Sequence, residues 1–374
     1  VSPRGQARQA GLFAEIGRVA EVIEGGGEAQ ELLVELPHRP TPEPALLYLG
    51  LCPQPVAKGD TVLLNTTAVR LSLGSGGYHF VIAKLNAPEA AGQVAAPGHI
   101  MKLRYTPLQV RCLAAEEPQS PSHEALQQAD SIAGMPVVVA GLHSQVAPIA
   151  AAVKAHTAGK ARIAYIMNDT ACLVLAFSRL VEELRNKGLI DITITTGQAL
   201  GGDLETVNIY SGLLAAKLAA KADLAILAQG PGNVGTDTLF GFGAIYQGEA
   251  VNAVAVLGGL PVAALRLSFV DPRPRHQGVS QQFLISLGRV ALRRAVVALP
   301  KLEEKKLRLL RKQLKDWGIS RRHEVVMEEG EAGLEELRRL GIKVSSMGRS
   351  MEEDREFFLA AAAAGMAAAK RVNL

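Results

Sequence analysis

The chain has 374 residues, 48% of them hydrophobic and 20% charged, with a formal net charge of +4. This balance excludes a mainly disordered chain, and the length suits two or three domains at about 100–200 residues each. A nucleic-acid-binding domain would need a broad basic stripe. Here the basic residues gather in one segment, KLEEKKLRLLRKQLKDWGISRR at 301–322, which reads as a solvated helix face.

To about residue 113 the chain reads as β. Residues 11–23, 31–36, 45–51, 61–64, 69–73 and 78–85 are short runs separated by turn formers such as the glycines at 25–27, Gly59-Asp60 and GSGG at 74–77. That spacing predicts a small barrel or sandwich. Residues 87–97 and 116–122 (EEPQSPS) read as connections. From about residue 135 apolar strands (136–141, 162–167, 191–195, 223–228, 261–269, then 295–299) alternate with helices (145–155, 171–186, 204–220, 238–257, 280–293). Such alternation predicts a mainly parallel sheet flanked by helices, with right-handed crossovers. Beyond Pro300 follow a helix (302–317), a strand (322–327), a helix (330–340), a short strand (342–346) and a helix (351–370). The Ala run of this last helix, ended by Gly365, predicts close docking on the core. The fold class is therefore α/β, with a β-rich domain at 1–115, an α/β domain at 116–300, and an α/β extension at 301–374 packed on the core.

Cys52, Cys112 and Cys172 share no CxxC spacing, so neither a disulfide framework nor a zinc site is expected. The first residues, VSPRGQARQAG, lack a signal-peptide core. The longest apolar stretches fall short of the roughly 20 residues that span a bilayer. The expected location is the cytoplasm, with no membrane partner.

Each main strand ends in a polar, often glycine-rich loop, and in a parallel sheet these ends share one edge, where ligands of open α/β sheets bind. The first loop carries His143 and Ser144, the second Asp169, the third Thr196, Gly201, Gly202 and Asp203. The fourth, GPGNVGTDT, carries Gly230, Gly232, Asn233, Gly235 and Thr236. It lacks the Gly-Lys-Ser/Thr ending of a Walker loop, and its G-x-G-x-x-G is misplaced for a dinucleotide fingerprint. It suits either an anion nest ahead of a helix or a plain tight turn. The fifth carries Asp271, Arg273, Arg275, His276 and Ser280. Its arginines suit a phosphate or carboxylate, or a salt-bridged interface.

Asp169, Asp203 and His276 are the candidate proton-transfer groups. Asp203, with Thr206 and Glu205 after it, equally suits a helix N-cap, and Asp169 has the same capping alternative. His143 beside Ser144 does not make a triad by adjacency. His143, Asp169, Asp203 and His276 lack metal-motif spacing, so no metal is expected. Asn65, Thr66, Thr67 and the 74–79 segment suit either turns or an addition to the site. MGRS at 347–350 reads as the opening of a capped helix, with Arg349 directed at the site.

Several segments together resemble a bacterial family of uncharacterised proteins, domain-of-unknown-function family 3866. They are GDTVLLNTTAVRLSLGSGGYHFV from Gly59, GLHSQ from Gly141, TITTGQALGGDLETVNIYS from Thr193, QGPGNVGTDT from Gln229, DPRPRHQGVS from Asp271 and MGRSMEED from Met347. The resemblance spans nearly the whole chain and implies no reaction. It implies histidines near position 198 and in place of Gln281 and Gln282, so the glutamines here lower the expectation of metal or general-base chemistry.

The expected function is binding of a small anionic metabolite, phosphorylated or nucleotide-like, at the C-terminal edge of the parallel sheet, with or without catalysis. Gly230, Gly232, Gly235 and Thr236 would hold the anion, and Arg273 and Arg275 would neutralise it. The alternative is a non-catalytic regulatory or interaction protein using the same loops, including as a homo-oligomer. No nucleic-acid partner is expected, and no motif specifies a cofactor.

Overall fold

The structure is a computed structural model that describes residues 11–25, 27–86 and 97–372. Residues 1–10, Gly26 of the expected glycine turn and 87–96 of the expected connection lie outside the described residues. The chain divides into two units, Val1–Ala95 and Ala96–Leu374.

Alternation of inward apolar and outward polar residues builds the first unit. Strand β2 (Ala29–Glu35) buries every second residue, including Leu32 and Val34. With β1 (Ala14–Gly25), β3 (Glu43–Tyr48), β4 (Thr61–Asn65) and β5 (His79–Lys84) it closes a barrel in the order β1-β2-β3-β5-β4. Pairs are antiparallel except β3–β5, a Greek-key arrangement. Residues 69–73, expected as a strand, instead follow a short helix α1 (Thr67–Arg70) into a turn. There the Thr66 N–H and hydroxyl donate to the Phe13 carbonyl, and the Thr67 hydroxyl accepts from Phe13 N.

The second unit opens with an antiparallel ribbon, β6 (Ile100–Lys102) and β7 (Val110–Cys112), and a short helix α2 (His123–Leu126). Its sheet then takes β8 (Pro136–Ala140), β9 (Ile163–Asn168), β10 (Ile192–Thr196), β11 (Leu204–Thr206), β12 (Leu224–Gln229), β13 (Leu260–Ala264), β16 (Val296–Pro300) and β17 (Glu324–Glu328). All run parallel, in the order β11-β10-β9-β12-β8-β13-β16-β17. Residues 301–374, expected as an extension, thus supply a strand of the same sheet. Outside this sheet, β14 (Leu267–Ser268) and β15 (Gly278–Val279) pair antiparallel with each other.

Helices cover both faces, which explains why central strands such as PVVVA are apolar throughout. In β8, Val138 and Ala140 face one core and Val137 and Val139 the other. The first core receives α3 (Val146–His156) and α4 (Arg179–Asn186). The second receives α5 (Ile209–Leu214), α6 (Tyr246–Val256), α7 (Gln281–Ile285), α8 (Glu304–Asp316) and α9 (Ile319–Arg322). On α8 Leu307, Leu310 and Leu314 point inward and leave the basic residues on the solvent side. Two late helices, α10 (Glu331–Arg339) and α11 (Arg355–Ala369), return to the first core. The small residues of α11 do what the sequence implied: a Cβ on Gly365 would lie 2.5 Å from the Ile149 carbonyl oxygen of α3. Among the described residues no helix is long and apolar enough to cross a membrane.

Four expected helices start late, for physical reasons. Leu204–Thr206 is an edge strand held by β10, so Asp203 and Glu205 do not open a helix, which starts at Ile209 with Asn208 as its cap. Residues 171–178 form a loop with one 3-10 turn at Leu175–Phe177, and α4 starts at Arg179 with Ser178 as its cap, whose hydroxyl accepts from Val181 N. Residues 234–243 fold back on themselves through Gly235 and Phe242, delaying the next helix to Tyr246. The MGRS segment is a hairpin, β18 (Ser345–Ser346) to β19 (Arg349–Ser350), and α11 waits until Arg355.

Candidate functional site

The chain leaves the C-terminal ends of neighbouring β8 and β12 on opposite faces, through α3 and α6. Such a divergence opens the crevice where open α/β sheets bind ligands. The site described here lies within the Ala96–Leu374 unit.

At the crevice His143 Nδ1 lies 3.2 Å from both the Gln229 carbonyl and the Tyr165 hydroxyl, and Nε2 lies 2.8 Å from Ser178 Oγ. One tautomer satisfies every group: Nδ1–H donates to Gln229, and Nε2 accepts from Ser178, which itself accepts from Val181. Burial pushes the His143 pKa down to about 4, so the ring is neutral at neutral pH. Ser144 Oγ reaches the other way, to Ser346 Oγ at 3.0 Å.

Ser346 belongs to the wall of a small cleft lined also by Arg266, Ser268, Asp271, His276, Arg349 and Asp354. Its volume is about 10 Å³, room for about one water molecule. Asp271 is 1% exposed and bound by Arg273 through two side-chain bonds, with Arg349 at 3.2 Å. The Arg273 guanidinium holds its carboxyl far below the usual range. Asp354 accepts from Ser268 Oγ and from Arg349 Nε at 3.0 Å, although burial raises its pKa. His276 is buried, with Nδ1 2.7 Å from Ser280 Oγ. Burial, helped by the charges of Arg266 and Arg273, lowers its pKa to about 3.

Arg266 differs from its neighbours. It is 8% exposed, donates through Nη1 to the Gln282 side chain, and forms no ion pair with any carboxylate of the described residues. Burial first, then the like charge of Arg273, lowers its pKa to about 10, which leaves it charged at neutral pH. The Asp271 charge offsets part of this, but a buried guanidinium with no carboxylate in contact is still costly, and an anionic partner lowers that cost.

The fourth and fifth loops do meet. Arg275 pairs with Asp237, and a Cβ on Gly235 would lie 3.0 Å from Gln282 Nε2. Gly232, at φ +101°, occupies backbone that favours glycine, and Gly230 passes against the Cys172 carbonyl. Asn233 accepts from Gln229 Nε2 at 3.0 Å, leaving the buried Gln229 Oε1 without a partner. The loop does not open a helix, however. Thr236 N donates to the Gly241 carbonyl, Gly243 N to the Val234 carbonyl, and Thr238 N to Thr236 Oγ1, so these donors serve the loop itself.

Asp169 and Asp203 stand apart as loop braces. Asp169 accepts from Gln198 N at 2.9 Å. Asp203 accepts from Thr193 N and Oγ1, both at 2.8 Å, and pairs with Arg185. Thr196 is buried, and its carbonyl accepts from Ala199 N. Among the described residues no three His, Cys, Asp or Glu side chains group as metal ligands.

A family model described as Protein of unknown function (DUF3866) matches residues 44–365. The chain belongs to this family. No curated protein and no solved structure matches the chain. The family assignment supplies no chemistry, so the reading of this DUF3866 protein rests on its own residues. Sequence reasoning missed Arg266, Ser268, Gln282, Ser346 and Asp354. Arg266 left one trace: it is the single charged residue in PVAALRLSFV, an otherwise apolar run.

Proposed function

We propose that the Ala96–Leu374 unit of this DUF3866 protein binds a small anionic molecule at the C-terminal edge of its sheet, with Arg266 as principal donor. The observation that carries this reading is the buried, charged Arg266 guanidinium, which has no carboxylate of its own and faces the cleft. Arg273 and Arg275 take supporting roles, since each already holds an aspartate. Thermal unfolding of the full chain with a panel of small anions, against chloride at equal ionic strength, tests it. A ligand at 100 times its Kd adds about 2.7 kcal/mol. A shift that survives in Arg266→Gln, or no shift beyond chloride with any anion, sinks the proposal.

A second reading is a regulatory or interaction protein that binds without catalysis. It is favoured by the engagement of Asp169 and Asp203 as braces and by the low basicity of His276. Chromatographic recovery of the bound molecule unchanged after long incubation supports this reading, and a product peak excludes it.

A further inference from the structure

Resting on the reading of Arg266 as the anion's donor, we propose that the ligand is a monocarboxylate with a short apolar body. The carboxylate sits on Arg266 and the body lies against Met347 and Phe357.

Charge sets the first argument. Three guanidinium groups, Arg266, Arg273 and Arg349, share this end with two carboxylates, Asp271 and Asp354. The cleft lining itself is balanced, Arg266 and Arg349 against Asp271 and Asp354; Arg273, which grips Asp271 from outside the lining, brings the surplus at this end to one positive charge, because His276 is neutral and Arg275 is matched by Asp237. One carboxylate balances it, whereas a phosphate monoester, at about −1.5 to −2, overshoots.

Donor geometry points the same way. Arg266 engages Gln282 through Nη1, leaving the Nε and Nη2 edge, whose parallel N–H groups match the two oxygens of a carboxylate. Phosphate sites commonly add a helix N-terminus or a backbone nest. The helix that starts beside this cleft, α11, has the Asp354 carboxylate at its cap and Glu356 in its first turn.

The apolar wall supplies the third argument. Met347 and Phe357 line the cleft. A volume of about 10 Å³ admits little more than a carboxylate oxygen, so the rest of the molecule lies at the mouth. There Met347 is 56% exposed and holds φ +51°, in a hairpin turn that glycine or asparagine fills more readily. An exposed thioether kept in disfavoured backbone beside a charged cleft is suited to contact with an apolar ligand body.

Unfolding of the full chain is measured at pH 7.5 in potassium acetate, butyrate, inorganic phosphate or chloride at equal ionic strength. Butyrate is expected to raise the midpoint most, acetate less, and phosphate no more than chloride. Arg266→Gln is expected to abolish the carboxylate response, and Arg266→Lys, which keeps the charge and loses the fork, to weaken binding about tenfold. Met347→Asn is expected to keep the acetate response and remove the advantage of butyrate. Should Arg266→Gln fail to fold, the arginine Nε–H resonances of the wild type provide the readout: one moves with acetate and not with chloride. A phosphate response without a carboxylate response overturns the carboxylate assignment and leaves the anion reading intact. No response beyond chloride overturns both, and equal responses to acetate and butyrate overturn the apolar body.

Discussion

Arg273 grips Asp271 along the whole carboxylate edge: Nε meets Oδ1 at 2.9 Å, Nη2 meets Oδ2 at 2.7 Å, and the Arg273 backbone N–H adds a bond to Oδ1 at 3.0 Å. Arg349 joins at Oδ2 and carries the link on to Asp354. Asp271→Asn keeps the shape and removes the charge, leaving Arg273 without its carboxylate and Arg349 with Asp354 alone. Loss of one member of a buried ion pair costs about 3–5 kcal/mol. Since Arg273 is partly exposed, about 3 kcal/mol is expected, read from the urea midpoint. A loss below about 1 kcal/mol would show that the clamp does not hold the loop.

The His143 ring gives a pH dependence with a definite sign. Its pKa is about 4 in the folded protein against 6.5 as a model group. Between those values the unfolded chain takes up a proton that the folded protein refuses, so this contribution is intact above about pH 6.5 and fades as the pH falls towards 4. At about 1.4 kcal/mol per pKa unit, the full loss is on the order of 3 kcal/mol. His143→Gln should be less stable at pH 8 yet show a shallower decline to pH 5. Parallel profiles for variant and wild type would refute the assignment.

Lys102 is fully buried and donates to the Ala199 and Thr195 carbonyls and to Glu205. Lys102→Met is expected to cost about 3 kcal/mol, because Glu205 loses its counter-ion. Adding Glu205→Gln should recover part of that loss, a coupling that a double-mutant cycle measures directly. Additive losses would mean that the two residues act independently.

Gly365→Ala tests the contact between α11 and α3. The new methyl would meet the Ile149 carbonyl at 2.5 Å, and backbone cannot swing aside as a side chain can. Overpacking of this kind costs about 1–3 kcal/mol. Helix propensity alone predicts a gain of about 1 kcal/mol, so the sign of the change in thermal midpoint decides between the two.

The contrast between what the residues announce and what they conceal is physical. Runs such as PVVVA and LAILAQ declare parallel strands because both faces are covered. Strand order is set by which crossovers span which neighbours, and no single run encodes that. Leu204–Thr206 reads as helix because three residues are too few for a period; Glu205 pairs instead with Lys102, about a hundred positions away. The glycine loop was legible as a loop, but its closure through Gly235 and Phe242 was not. In the candidate site the loops were visible and the partnerships were not. Nothing in DPRPRH says that Arg273 is committed to Asp271 while Arg266, hidden in an apolar run, is left with no carboxylate in contact.

The docking of α11 bears on the order in which the protein can be made. Its alanines lie on α3, β8, β13 and β16, which leave the ribosome well before it does. Until residue 369 has emerged, the part of the face formed by Val138, Val262 and Ala298 lacks this helix. A nascent chain stalled between β16 and α11 therefore displays part of that apolar face, the kind of surface that chaperones cover.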